Sequence, residues 1–312
     1  MPGKRVLVTG AAGFIGSHTV DKLIADGHHV LGIDDLSTGK EDNLSGVQKE
    51  SRFDFATADV SASGAVASMV ERYHPGTIIH LAALVSVPRG ETEPGLNYRL
   101  NVQATHEICE AARCHRVPRI VFASSAAVYG ECADLPLTES APTIPVSQYG
   151  YTKRISEQLL ESYHASYGIE TICFRYFNVY GPRQDPASPY SGVVSIFSDR
   201  FRGRQPVTIY GDGTQSRDFV YVGDVAKANA LAATFETPVS GTFNCCTGNS
   251  TSLLNLIAVL DRRFPGVPNP EHLPERAGDI KHSLGDPTAI TSALKFTPAT
   301  PFAEGLGTLL ED

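Results

Sequence analysis

The chain of 312 residues predicts an α/β protein built on a doubly wound parallel sheet, with a smaller α+β part towards its C-terminus. In the first half, short apolar runs alternate with longer segments of helical periodicity, which is the pattern of repeated βαβ units. After about residue 176 the elements shorten and proline and glycine become frequent, as in GPRQDPASPYSGVV. We therefore expect a first domain over residues 1–175 and a second over residues 176–312.

Five apolar runs are expected to form strands of the sheet, namely residues 5–8, 30–33, 77–80, 119–123 and 170–175. The segments between them predict helical crossovers at residues 15–26, 64–73, 97–115 and 148–167. Segments near residues 219–247 are expected to return to the large sheet, as a helix over 224–236 and a strand over 241–244.

Composition and charge exclude several classes of protein. The net charge of −8 argues against a general nucleic-acid or anionic-membrane binder, although a few placed arginines would still accept an anionic substrate. No run approaches the ~20 apolar residues of a membrane span, and no signal-peptide layout is present. The six cysteines form no CxxC and the ten histidines no HxxxH or HExxH, so we expect a cytoplasmic protein with reduced thiols and no metal site.

The stretch VLVTGAAGFIGSH predicts a nucleotide site. It reads as a strand that enters a turn with Gly10, Gly13 and Gly16, followed by a helix whose N-terminus faces an anion. Asp34 ends the next predicted strand about 20 residues further on, where a carboxylate accepts hydrogen bonds from a ribose 2′-hydroxyl and repels a 2′-phosphate. This context indicates a Rossmann-type domain that binds NAD rather than NADP.

Polar residues follow the apolar runs on the same side each time. They are Gly10, Asp34, Asp59, His80, Ser124 with Ser125, and Asn178. In a parallel sheet these positions lie along the carboxyl edge, where open α/β sheets bind ligands. The sequence therefore predicts that they border one cleft.

The stretch QYGYTKR places Tyr149 and Lys153 four residues apart, on one face of a predicted helix. A tyrosine that acts as a base at neutral pH needs its pKa lowered by roughly three units, or ~4 kcal/mol. An adjacent ammonium, a positive nicotinamide and a hydroxyl hydrogen bond would lower it. Tyr151 is a second candidate, but it lies two residues from Lys153 and is expected to point elsewhere.

The glycine turn, Ser125 and the Tyr149/Lys153 pair resemble the extended short-chain dehydrogenase/reductase superfamily, and within it the UDP-hexose 4-epimerases. The resemblance covers essentially the whole chain. It implies that Tyr149 removes the proton of the sugar 4-hydroxyl, that Ser125 binds the 4-oxygen, and that Lys153 holds the nicotinamide ribose. It also implies that NAD stays bound, because hydride leaves C4 and returns to its opposite face.

The resemblance implies contacts for both ligands and a homodimer formed by helices 97–115 and 148–167. The expected NAD contacts are Gly10, Gly13, Phe14, Ile15, Gly16, Asp34, Asp35, Ser37, Thr38, Gly39, Asp59, Val60, Leu81, Ala82, Ala83, Tyr149, Lys153 and Tyr176. The expected UDP-sugar contacts are Ser125, Asn178, Tyr210, Arg217, Arg276, Asp279 and Ser283. The first domain would thus bind NAD and the second the UDP-sugar.

Three positions refine the expected reaction. Related dehydratases carry an Asp-Glu pair directly after the hydroxyl residue, whereas this chain has Ala126 and Ala127, which can neither give nor take a proton. Val85 stands where the family often has a lysine. Ser283, four places after Asp279, occupies a position where a tyrosine restricts the family to plain hexoses, so a serine predicts that N-acetylated sugars are also accepted.

Three alternatives remain open at this point. The chain resembles epimerases of other UDP-sugars, such as UDP-glucuronate, closely enough that the sugar is not fixed. A net oxidoreductase acting on a sugar or a steroid would instead release NADH. A non-catalytic NAD-binding regulator is a third possibility, although it would have no need of Ser125, Tyr149 and Lys153 together.

Overall fold

The computed structural model describes residues 3–132, 134–186, 192–275 and 280–311. The first half contains β1 (Arg5–Thr9), α1 (Phe14–Ala25), β2 (His29–Asp34), β3 (Phe53–Thr57), α2 (Ala65–Tyr73), β4 (Thr77–His80), α3 (Val87–Thr92), α4 (Pro94–Tyr98), α5 (Ala104–His115), β5 (Arg119–Ser125), α6 (Gln148–Tyr167) and β6 (Glu170–Tyr176). The second half contains β7 (Asn178–Tyr180), α7 (Val193–Arg202), β8 (Thr208–Tyr210), β9 (Ser216–Arg217), β10 (Phe219–Tyr221), α8 (Val222–Thr234), β11 (Gly241–Cys245), β12 (Thr251–Ser252), α9 (Leu253–Arg263), β13 (Glu271–Leu273), α10 (Thr288–Leu294) and α11 (Phe302–Glu311).

Seven parallel strands form the central sheet, in the order β11-β6-β5-β4-β1-β2-β3. Two buried apolar clusters include residues from both faces of it, as expected for a sheet covered by helices. The strand order reverses between β1 and β4, which opens a crevice at the carboxyl ends of the strands. The predicted doubly wound α/β class is confirmed, and the five predicted strands match within two residues at each end.

The strand β3 is absent from the predicted runs. It lies at the edge of the sheet, so only part of it is buried, and the polar Asp54 interrupts its apolar pattern. A short, half-buried edge strand carries a weaker apolar signal than a central one.

The expected crossover over residues 97–115 is helical, but it is not one α-helix. The α-helical geometry of α4 ends at Tyr98, a π-helical turn spans Arg99–Gln103, and α5 begins at Ala104. Asn101 lies in the π-helical turn. Its side chain accepts a hydrogen bond from Leu84 N (2.8 Å) and donates one to Leu84 O (3.1 Å). The wide turn thus anchors the segment that follows β4.

The second half returns to the large sheet through β11, which pairs in parallel with β6. Arg119 at the start of β5 donates to the carbonyls of Ala232 (2.9 Å) and Phe235 (2.7 Å) at the end of α8. The remaining strands form three small sheets, β7 with β10, β8 with β13 and β9 with β12, over a separate apolar cluster. Among the described residues no helix is long and apolar enough to cross a bilayer.

Candidate active site

A cavity of about 550 Å³ runs along the carboxyl ends of the central strands. All residues expected to contact NAD line it except Gly39. The cavity is also lined by residues that the sequence analysis did not assign to the cofactor, namely Lys40, Asn43, Ala58, Val85, Leu100, Ala123, Ser124, Arg183, Gln184 and Asp185. Gly10, Asp34, Asp59 and Ser124 therefore converge as predicted, whereas His80, Ser125 and Asn178 are not among the lining residues.

The glycine turn forms the floor of the cavity. Gly10 has φ +69°, and a Cβ there would lie 2.8 Å from the backbone nitrogen of Ala82. Gly13 precedes the first turn of α1 and donates its N–H to Gly10 O (3.1 Å). A side chain at Gly10 would thus clash with the backbone that follows β4, and the glycine keeps the turn close to that segment, beside the N-terminus of α1, where an anion is stabilised.

Asp34 ends β2 and is 7% exposed. Its Oδ2 accepts a hydrogen bond from Ala12 N (3.0 Å) and its Oδ1 one from Leu36 N (2.9 Å). Burial raises its pKa from the usual value for an aspartate, while these backbone hydrogen bonds oppose the rise. A Cβ at Gly39 would come 2.8 Å from Asp34 Oδ1, so Gly39 supports the carboxylate from behind instead of lining the cavity.

These features together fit an NAD molecule. A glycine turn at a helix N-terminus suits the pyrophosphate, and a fixed carboxylate at the end of the next strand suits a ribose 2′-hydroxyl. Asp59 and Val60 line the cavity beyond β3, where Asp59 is paired with Arg99 Nη1 (2.7 Å). Among the residues that the structure describes, no three His, Cys, Asp or Glu side chains are placed to share a metal ion.

Tyr149 and Lys153 project from the first turns of α6 towards the other end of the cavity. Lys153 is buried, and its Nζ donates to Ala123 O (2.7 Å). The same Nζ lies 4.8 Å from the centre of the Phe122 ring and 5.8 Å from the centre of the Tyr149 ring. One face of the helix therefore carries both groups, as their spacing predicts.

The electrostatics of this pair depend on burial. Desolvation raises the pKa of Tyr149 to about 12, and a hydrogen bond with Ser125 opposes the rise. Desolvation lowers the pKa of Lys153 to about 7, and the charge of Glu157 opposes that fall. The chain's own residues thus do not produce the expected lowering of the tyrosine pKa, and a positive charge on a ligand in the cavity would favour the ionised form of Tyr149.

Ser125 is the last residue of β5, and its hydroxyl accepts a hydrogen bond from Ala127 N (3.2 Å). This bond starts a short 3₁₀ turn over Ala126–Val128. The neighbouring Ser124 lines the cavity and donates to Glu157 Oε1 (2.5 Å). The hydroxyl that interacts with Tyr149 is thus followed directly by two methyl side chains.

A buried ion pair supports this end of the site and is absent from the sequence-based candidates. Glu157 accepts hydrogen bonds from Arg175 Nε and Nη2, both at 2.9 Å. Arg175 also donates to Tyr129 OH (3.0 Å). Glu157 lies four residues after Lys153, on the same helix face, so this spacing could have predicted from the sequence that Glu157 lies near Lys153.

The remaining candidates lie around the mouth of the cavity or outside it. Tyr176 lines the cavity and donates its hydroxyl to Asn229 Oδ1 (2.6 Å). Val85 also lines the cavity and is 58% exposed. Asn178 is exposed at the start of β7 and does not line the cavity.

Two of the expected substrate residues lie side by side. Arg217 Nη1 donates to the carbonyls of Ser216 (2.9 Å) and Lys281 (3.2 Å), and Ser283 N donates to Ser216 O (3.0 Å). Tyr210 ends β8, and its carbonyl accepts from Gln215 Nε2 (2.8 Å). Arg276 and Asp279 lie outside the described residues.

Asp218 holds these loops together and was not among the candidates. It is fully buried. Its carboxylate accepts hydrogen bonds from Thr247 N (2.9 Å), Thr247 Oγ1 (2.6 Å), Gly248 N (2.9 Å) and Gly285 N (3.4 Å). Asp218 thus ties the segment after β11 to the segment that carries Ser283.

Comparisons with known proteins identify a matching family and similar enzymes. Residues 6–246 match the NAD dependent epimerase/dehydratase family. A UDP-glucose 4-epimerase of Mycolicibacterium smegmatis is 38% identical over 310 residues, which cover 98% of this chain and 97% of the relative.

Solved structures give the same result. A UDP-N-acetylglucosamine 4-epimerase from Methanobrevibacter ruminantium, in complex with UDP-N-acetylmuramic acid, superposes with a TM-score of 0.94 at 38% identity, covering 100% of this chain and 98% of that one. A UDP-glucose 4-epimerase of Thermus thermophilus in complex with NAD superposes with a TM-score of 0.88 at 36% identity, covering 98% of both chains.

Proposed function

The chain belongs to the NAD dependent epimerase/dehydratase family, and on that basis we propose that it inverts the C4 configuration of UDP-hexoses with bound NAD. One observation carries the proposal. Tyr149 and Lys153 line one end of a cavity whose other end holds a glycine turn and Asp34, and Ser125, just outside the lining, hydrogen-bonds Tyr149. Such an arrangement supports an acid/base role for Tyr149 beside a hydroxyl-bearing carbon and a nicotinamide.

Each residue has a defined task in this reaction. Tyr149 takes the proton of the sugar 4-hydroxyl and later returns it, while Ser125 binds the 4-oxygen. Lys153 holds its ammonium between the Ala123 carbonyl and the cavity, from where it can bind the nicotinamide ribose. When bound, NAD supplies the hydride acceptor and a positive charge that favours the ionised form of Tyr149.

Ala126 and Ala127 limit the reaction to epimerisation. Elimination of water from the 4-keto sugar needs a base at C5 and an acid for the departing hydroxyl. Both positions directly after Ser125 carry methyl groups, in a short turn beside Tyr149. The 4-keto sugar therefore undergoes only one further reaction: it rotates in the site and is reduced on its opposite face.

For the substrate we assign residues 176–312 to the UDP-sugar and residues 1–175 mainly to NAD. Asn178, Tyr210, Arg217, Arg276 and Asp279 would bind the UDP part. Ser283 and Arg217 both bond to the carbonyl of Ser216, and we infer that the small Ser283 side chain borders C2 of the sugar and accepts a substituent there. We therefore assign both plain and N-acetylated hexoses to this enzyme, as UDP-glucose/UDP-galactose and UDP-GlcNAc/UDP-GalNAc.

The test is a panel of UDP-sugars followed by proton NMR at C4. The proposal expects UDP-glucose and UDP-galactose to interconvert, and UDP-GlcNAc and UDP-GalNAc likewise, with no NADH accumulating in the absorbance record. Sustained NADH release during turnover would replace the epimerase with a net oxidoreductase. Turnover of UDP-glucuronate alone would reassign the sugar, and turnover of plain hexoses alone would refute the role given to Ser283.

A homodimer in the cytoplasm completes the proposal. Helices α4 and α6 carry exposed apolar side chains, including Tyr98, Tyr151, Ile155 and Tyr167, which a second copy would cover. All six cysteines are unpaired, as is usual in a reducing compartment. Sedimentation of the purified chain tests the dimer, and a monomer at micromolar concentration would contradict it.

A further inference from the structure

Residues 181–186 cross the mouth of the cavity after β7, and we call this segment the clasp. Arg183, Gln184 and Asp185 of the clasp line the cavity. None of the three was among the residues expected to contact the cofactor.

Contacts on both sides of the cavity hold the clasp. On one side it is tied to α1, where His18 Nε2 donates to Pro182 O (2.9 Å) and Arg183 Nη2 lies 2.8 Å from Asp21 Oδ2. On the other side Asp185 Oδ2 lies 2.7 Å from Lys40 Nζ. The clasp therefore joins α1 to the loop after β2.

The position of these anchors shows which half of the cavity the clasp covers. The α1 anchors lie within its first two turns, close to the glycine turn. Lys40 follows Gly39, which packs on Asp34, and Lys40 N donates to Ala12 O (3.0 Å). The clasp thus spans the glycine turn and Asp34, at the opposite end of the cavity from Tyr149.

Two further observations fit a ligand beneath the clasp. Gln184 Oε1 is buried and has no hydrogen-bond partner among the described residues, so it offers an acceptor to a hydroxyl or amino group. Arg183 adopts φ +65°, a conformation that costs energy for a residue with a side chain.

We propose that the clasp retains the dinucleotide between turnovers by closing over its pyrophosphate half, with the Lys40–Asp185 ion pair as the closure. The proposal deepens the proposed function and rests on it, because a cofactor that is regenerated in every cycle has no need to leave. Lys40 and Asp185 are 60% and 39% exposed, so their attraction is that of a surface pair. A weak closure lets the cofactor exchange slowly instead of being trapped.

The experiment measures release of NADH without any sugar. The protein is loaded with NADH, excess NAD⁺ is added, and the loss of bound-NADH fluorescence gives the dissociation rate. Lys40→Gln and Asp185→Asn are each expected to raise this rate on the order of 2- to 5-fold, the range for a surface ion pair. The double variant is expected to match the single variants, since each already opens the same closure.

Lys22→Gln is the matched control. Lys22 forms a surface ion pair with Asp26 on α1, is 37% exposed against 60% for Lys40, and does not line the cavity. Its NADH dissociation rate is expected to equal that of the wild type. A rise equal to that of Lys40→Gln would overturn the proposal, because it would reflect only the lost positive charge.

The direction in which Asp185→Asn changes the NADH dissociation rate distinguishes a closing ion pair from simple repulsion between Asp185 and the phosphates. If Asp185 only repelled the phosphates and occupied Lys40, its neutralisation would slow the release of NADH, and that result would overturn the clasp. Unchanged rates in both variants would overturn it too. A wild type that retains NADH but inverts no UDP-sugar would refute the proposed function alone, whereas a wild type that binds no NADH would refute both.

Discussion

The cofactor cavity and the outer region formed by β7 to β10, β12 and β13 place their candidate residues in different ways. In the cavity, Asp34 and Ser125 are the last residues of central strands, and Lys153 lies on the helix after β5. In the outer region, Arg217 and Ser283 depend on contacts between loops. A strand end fixes both the position and the direction of a side chain, whereas a loop fixes them only through its partners.

This difference explains why motifs are informative in one region and weak in the other. A residue at the carboxyl end of a parallel strand lies at the edge where the crevice opens, so its approximate place follows from the strand pattern. Arg217 and Ser283 share a neighbourhood because both bond to Ser216 and because Asp218 ties the adjoining segments. No sequence pattern predicts those hydrogen bonds.

The largest expected effect belongs to the cavity. Tyr149→Phe removes the only hydroxyl assigned as acid and base, so turnover is expected to fall on the order of 10²- to 10⁴-fold while NADH still binds. C4 inversion followed by NMR measures the first result, and bound-NADH fluorescence the second. Tyr151→Phe, two residues along the same helix, is the control and should keep normal turnover. Near-normal turnover of Tyr149→Phe would contradict the catalytic role of Tyr149. It would also contradict the view that motifs identify functional residues more reliably in the cavity than in the outer region.

A smaller but more selective effect is expected in the outer region. Ser283→Tyr places a ring where an N-acetyl group would pass, so UDP-GlcNAc turnover should fall on the order of 100-fold, while UDP-glucose turnover stays within a few-fold, because overpacking a site costs about 1–3 kcal/mol. The ratio of kcat/KM for the two sugars is the measurement, with Ser283→Ala as the size-matched control. Equal losses on both sugars would show that the loop, and not the side chain, was disturbed.

Asp218→Asn tests whether the outer region depends on one buried acceptor. The amide has one acceptor oxygen, so at least one of the N–H groups of Thr247, Gly248 and Gly285 loses its partner, at a cost of about 2 kcal/mol. Urea unfolding measures the loss, and KM for UDP-galactose should rise while NADH release is unchanged. Asp212→Asn, at an exposed turn of the same region, is the control. If NADH release accelerates as well, the two regions are not independent.

The smallest effect concerns His80, at the end of β4. Burial lowers its pKa to about 3, and its Nδ1 is paired with Thr9 Oγ1 (2.8 Å). Its folded pKa lies below the unfolded value of about 6.5, so acid protonates the unfolded chain first. Stability is therefore lost as pH falls below that value, by about 1 kcal/mol at pH 5.5.

Unfolding in urea at pH 7 and pH 5.5 checks this expectation. His80→Asn should lose less stability than the wild type over that interval, whereas His29→Asn, at the exposed start of β2, should lose as much as the wild type. An identical pH dependence of His80→Asn and wild type would contradict the assignment.

The sheet and the cavity could largely be predicted from the sequence, because strand pattern and glycine spacing report on backbone geometry. What could not be predicted depends on contacts between distant segments. The π-helical turn around Asn101 follows from its bonds to Leu84, and Gly39 supports Asp34 instead of lining the cavity. Lys40 and Asp185 are 145 residues apart in the chain and carry ordinary surface charges.

The pairing of β11 with β6 has a consequence for any shortened form of this protein. Six of the seven residues of β6 are buried, and its outer edge is covered only by a strand that arrives some 65 residues later in the chain, at Gly241–Cys245. A polypeptide ended near residue 175 would expose that edge as a row of unpaired N–H and C=O groups flanked by apolar side chains, a template for pairing with another chain. It would also leave Arg119 without the two carbonyls at the end of α8. The proposed boundary between the NAD-binding and UDP-sugar-binding parts, near residue 175, is thus not a point at which the polypeptide can be cut, and we expect the N-terminal part alone to aggregate.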